Sequence, residues 1–98
     1  MRLSTNEIDA IKESFYTVFE EGVLYLFGSR VDDTKKGGDI DLYIIPSTQE
    51  NLSMKKIKFL ALLKRIIGEQ KIDVVIDRGQ DRAIDRVAKN NGILLCKI

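Results

Sequence analysis

Hydrophobic and polar positions follow two different periods along this chain. Ile8, Ile11, Phe15, Val18 and Phe19 recur at three- and four-residue steps, the spacing of one helix face. Ser4 precedes Glu7 by three residues, which makes a capping box, so a first helix is predicted over 5–20, stopping near Gly22. Residues 23–27, Val-Leu-Tyr-Leu-Phe, form a short apolar run rich in strand formers and ended by Gly28. The stretch from Gly28 to Gly38 is polar and glycine-flanked; it reads as a loop with room for a helical turn after Ser29. A second strand is predicted over 39–45, stopped by Pro46. The helical period returns over 52–67, with Leu52, Ile57, Leu60, Leu63 and Ile67 on the buried side and Gly68 as C-cap. Residues 72–76 read as a third strand. Asp81 is placed to cap a helix carrying Ile84, Val87 and Ala88 that ends at Asn91 and Gly92, and 93–98 is a last strand.

The order α-β-β-α-β-α-β implies an α/β (α+β) fold, a mixed sheet with helices packed on it in one layer pair. The length, 98 residues, suits one small domain over 1–98 with no second substrate-binding lobe.

Composition narrows the chemistry by subtraction. There is no histidine, which excludes histidine general bases, Ser-His-Asp and Cys-His nucleophile systems and imidazole-based zinc sites. Cys96 is the single cysteine, so no intrachain disulfide or Cys-rich cluster forms. The 16 basic and 15 acidic residues nearly cancel, so direct nucleic-acid binding is not expected. No apolar stretch has the length of a membrane span or a signal-peptide core, and the expected setting is the reducing cytoplasm.

Three features remain that can carry chemistry. Gly28 and Ser29 follow a buried strand; a tight turn there exposes backbone amides to an anion, though an ordinary strand-ending turn reads the same way. Asp39 and Asp41 stand two apart on a strand and so share a face, with Ile40, Leu42 and Ile44 turned into the core. Their repulsion calls for a cation, and Mg²⁺ takes such hard oxygen ligands; the alternative is an exposed pair at a strand start. Asp73 lies inside an apolar strand, where an unpaired acid is costly to bury. It either faces solvent or shares a cation with Asp39 and Asp41, which requires its strand to neighbour theirs. Asp77, four residues on, is the weaker candidate. Lys55, Lys56, Lys58, Lys64 and Arg65 read as the wet face of the long helix, and Cys96 as a core residue.

Taken in order, the segments Leu26-Phe-Gly-Ser-Arg30, Gly38-Asp-Ile-Asp-Leu-Tyr43 and Lys71-Ile-Asp-Val-Val75 resemble the nucleotidyltransferase superfamily that includes DNA polymerase β and the aminoglycoside nucleotidyltransferases. Among these the chain is most similar to the minimal nucleotidyltransferases, the MntA-type antitoxins paired with HEPN-domain toxins. The resemblance implies a polymerase β-like palm core. It implies that Gly28 and Ser29, with Arg30 beside them, hold the phosphates of a nucleoside triphosphate. Asp39, Asp41 and Asp73 would then be the catalytic acids and the ligands of two Mg²⁺ ions, with Asp73 helping to deprotonate the attacking hydroxyl. ATP would be the substrate, and AMP would pass to a tyrosine of a HEPN toxin. One departure stands out: Val31-Asp-Asp-Thr follows Arg30 where many relatives carry a small residue and an Arg-Gly pair. Two other readings stay open: an antitoxin that neutralises its partner by binding alone, and a subunit that modifies small molecules such as antibiotics.

Overall fold

The computed structural model describes residues 3–28 and 38–98. Its elements run α1 (Thr5–Phe19), β1 (Gly22–Phe27), β2 (Ile40–Pro46), α2 (Leu52–Ile67), β3 (Ile72–Ile76), α3 (Ala83–Asn91) and β4 (Ile93–Lys97). The capping box at α1 is present in full. Glu7 donates its backbone N–H to the Ser4 hydroxyl at 3.1 Å, and Ser4 returns the bond to the Glu7 carboxylate at 2.9 Å. The helix ends sooner than Gly22, because Glu20 itself turns to a positive φ of 66°.

Four strands form a mixed sheet in the order β3-β2-β1-β4. β1 pairs antiparallel with β2 on one side and β4 on the other, while β3 lies parallel to β2 after the α2 crossover. Alternation along the strands separates two faces. Leu24, Leu26, Ile40, Leu42, Ile44, Ile72, Val74 and Ile76 are buried and pack with Ile11, Phe15 and Phe19 of α1 and Phe59 and Leu63 of α2. The opposite face carries Tyr25, Phe27, Asp41, Tyr43 and Asp73.

The helices are not confined to one layer. Tyr43 points away from the α1–α2 core, yet its hydroxyl donates to Asp85 of α3 at 3.0 Å, so α3 covers part of the second face. Three further expectations are corrected. Ile57 is 63% exposed and Phe59 enters the buried stripe of α2 in its place, beside Leu52 and Leu63 as expected and the partly buried Leu60 and Ile67. In α3, Ile84 and Val87 are exposed while Asp85 and Ala88 are buried. The N-cap of α3 is Arg82, because Asp81 takes a positive φ of 48° and pairs with Arg86. Cys96 packs half-buried against the core. Among the described residues no helix is long and apolar enough to cross a membrane.

Candidate active site

The acids meet because of strand register. In the parallel β2–β3 ladder Asp41 stands directly opposite Asp73, and in the antiparallel β1–β2 ladder Asp41 stands opposite Phe27. Residues opposed in register share a face, so the two carboxylates project side by side beyond the end of β1, where Gly28 follows. Asp73 thus neighbours the Asp41 strand, as a shared cation requires. Gly28 has a φ of +79°, and a Cβ built on it would run into the Asp41 carboxylate. Glycine is needed here twice over: for the left-handed backbone and for the close approach of chain and acid. Ser29 and Arg30 lie outside the described residues, as do Lys35, Lys36 and the turn expected after Ser29.

Asp39 stands just before β2, with its carboxylate 3.3 Å from the Lys71 ammonium. Neither Asp41 nor Asp73 has an ion-pair partner among the described residues. The Asp41 carboxyl is pushed above its ordinary value by burial first, then by the charges of Asp73 and Asp39, against a smaller pull from Lys71.

A cleft of about 610 Å³ opens beside this pair, lined by Phe27, Asp41, Lys56, Leu60, β3 residues Ile72–Val75 and Ile84. Lys56 therefore belongs to the acid cleft and not simply to a wet helix face. Its position on the rim of α2 next to β3 is set by packing between distant segments, which helix periodicity does not report. Asp77 takes a different role. It is buried, accepts the Gly79 N–H at 2.8 Å and pairs with Lys89 at 3.0 Å. Burial raises its carboxyl, but those partners outweigh it and the net displacement is downward. Its carboxylate is thus engaged by the chain's own groups, apart from the Asp41–Asp73 pair.

The donor chemistry of the acid pair fits a hard divalent cation. Two carboxylates in register with a third nearby, their repulsion only partly offset by Lys71 among the described residues, are what such an ion relieves. Among the described residues no three ligands converge to enclose an ion by themselves. Mg²⁺ is commonly held by one or two carboxylates together with substrate phosphates and water.

These features place the chain in a known class. Residues 9–98 match the family model described as polymerase beta, nucleotidyltransferase, and the chain belongs to that family. The fold agrees. A crystal structure of a protein from Sulfolobus solfataricus, described there as a candidate nucleotidyltransferase, superposes with a TM-score of 0.51 at 21% identity, covering 99% of this chain and 92% of that one. No curated protein matches the chain. The reaction class of the family is transfer of a nucleoside monophosphate from a nucleoside triphosphate, generally with a divalent metal.

Proposed function

We propose that this chain transfers AMP from ATP to a hydroxyl of a partner protein, a HEPN-type toxin, and so acts as its antitoxin in the cytoplasm. The observation that carries the transfer reading is the Asp41–Asp73 register pair, with the Gly28 backbone packed against Asp41. The acids have no ion-pair partner among the described residues and open onto a cleft, an arrangement suited to a ligand rather than to structure.

In this reading Asp41 and Asp73 hold the metal, with Asp39 as the third acid, and Gly28, Ser29 and Arg30 receive the triphosphate. Divalent cations supply charge stabilisation to the attacking and leaving oxygens of an in-line displacement. Asp73 orients the acceptor hydroxyl and takes its proton. The new bond joins the acceptor oxygen to the α-phosphorus as the bond to pyrophosphate breaks. No step needs histidine.

The test is labelled ATP and Mg²⁺ with this chain and a HEPN-type protein as acceptor. Label on the partner supports the reading; none, at high enzyme, overturns it. A second reading, neutralisation by binding alone, draws on Asp39, whose carboxylate is already engaged by Lys71. An Asp41→Ala/Asp73→Ala variant decides between them: it protects cells from the toxin only if binding is enough.

A further inference from the structure

Among the described residues β3 is an edge strand, so one of its sides has no strand partner there. Its ladder to β2 uses alternate residues. Ile40 donates to the Lys71 carbonyl at 3.1 Å and Asp77 donates to the Ile44 carbonyl at 2.8 Å. With Ile40 opposite Ile72 and Leu42 opposite Val74, the backbone groups of Lys71, Asp73, Val75 and Asp77 face β2. Those of Ile72, Val74 and Ile76 face outward. The far end of this row is closed, because the Arg82 guanidinium donates to the Ile76 carbonyl at 2.9 Å. Ile72 and Val74 remain, one on either side of Asp73.

The acid cleft follows this edge. It is lined by Ile72, Asp73, Val74 and Val75 in succession, a run that only the free side of a strand can offer. Lys56 and Leu60 of α2 wall it on one side and Ile84 of α3 on the other.

We infer that the acceptor enters as an extended segment of the partner protein, added antiparallel to the free edge of β3 with a hydroxyl-bearing side chain opposite Asp73. The inference deepens the proposed transfer to a protein and rests on it. An extended backbone offers donors and acceptors at the repeat of Ile72 and Val74; a helix has used its own internally. In an antiparallel ladder the hydrogen-bonded pairs would fall at Ile72 and Val74. Asp73 then takes the position between them, where opposed residues come closest, with Cα atoms about 4.5 Å apart. Opposed side chains share a face, so the incoming hydroxyl lies on the side of Asp73 and Asp41. Its proton passes to the Asp73 carboxylate, its oxygen bonds to the α-phosphorus, and pyrophosphate leaves. The acceptor residue of the partner therefore sits in a loop, a terminus or another segment able to lie extended.

Val74→Pro tests this. Proline is tolerated on an edge strand where the lost N–H faces outward, and it blocks strand addition. Transfer of label from ATP to the HEPN-type partner is expected to fall at least about tenfold, the worth of one or two lost hydrogen bonds. The rise in melting temperature with Mn²⁺ and ATP is expected to persist, showing that fold and acids are intact. Ile72→Pro, at the first residue of the strand, serves if Val74→Pro does not fold. Residue-resolved amide exchange on the wild-type complex reads the docking directly. Slowed exchange at Ile72 and Val74 supports strand addition whether or not label is transferred, so loss of the transfer reading alone is recognisable. Wild-type transfer by the folded proline variants, or equal exchange in free and bound protein, overturns it.

Discussion

Two pairs of aspartates stand on the α3 side of the sheet, and the chain treats them in opposite ways. Asp85 is almost wholly buried, and its carboxylate accepts from the Tyr43 hydroxyl, the Arg82 backbone N–H and two guanidinium nitrogens of Arg82. Those bonds from Arg82 outweigh burial and hold the carboxyl down at about 2. Asp77 beside it has Lys89 and the Gly79 amide. Asp41 and Asp73 stand at the other end of β2 and β3 with no ion-pair partner among the described residues, and Asp41 is displaced upward by burial and by the charges of Asp73 and Asp39. An acid saturated by its own chain is a structural post. An acid at a cleft with no ion-pair partner among the described residues is where the proposed function puts its ligand.

The largest separation of the two pairs is expected from activity. Asp41→Asn should lower nucleotidyl transfer about a hundred- to a thousandfold, the scale of losing one preorganised electrostatic contact in an active site. Its metal-free melting temperature should hold or rise, since repulsion with Asp73 disappears. A melt several degrees lower would make Asp41 a structural acid like Asp85. The reverse pattern is expected of Asp85→Ala. Urea unfolding should show a loss of about 3 kcal/mol, because the change strands a buried hydroxyl and breaks an ion pair, with activity per folded molecule retained. The same acid sets an acid limit. Its folded value lies below its unfolded one, so its contribution is complete above about pH 4 and is lost as pH falls toward 2. Stability measured across that range should decline in the wild type and flatten in Asp85→Asn.

A smaller change, about 1 kcal/mol, is expected from Tyr43→Phe, which removes one of the four bonds to Asp85. Burial first, and then the bond to Asp85, push the Tyr43 hydroxyl well above its ordinary value, so it stays a donor throughout the neutral range. A double-mutant cycle with Asp85→Ala should be strongly non-additive. Least in size, Mg²⁺ should raise the wild-type melting temperature by about 3 °C. Asp85→Ala should keep that response, and Asp41→Asn/Asp73→Asn should lose it.

The same contrast explains what could be read before the fold was known. α2 and β3 span the predicted residues, because a long apolar helix period and an aliphatic run are local signals. That Asp39 and Asp41 share a strand face, and that Asp73 is an odd acid in an apolar strand, were local facts; that Asp73 stands opposite Asp41 is set by the β2–β3 pairing, which neither segment reports. The Tyr43–Asp85 bond joins residues 42 positions apart, and nothing in either segment announces the other. α3 misled for a related reason. Its buried side is centred on a charged residue, so a search for apolar spacing selected Ile84 and Val87, which face outward. Ile57 failed on a broad apolar stripe, where packing against Phe19 through Phe59 decided which edge went inside.

The sheet order has a bearing on how the molecule assembles. Phe27 finds Asp41, and Asp41 finds Asp73, across modest stretches of chain, whereas Val23 pairs with Lys97 across most of the chain. Loop-closure entropy grows with the length enclosed. The β1–β2–β3 unit bearing the acids is therefore the part of the sheet that closes most cheaply, and the β4 ladder is the costliest to close. Substitutions along β4 should then act mainly on the rate of unfolding, whereas those at the β1–β2 and β2–β3 ladders should act on the rate of folding.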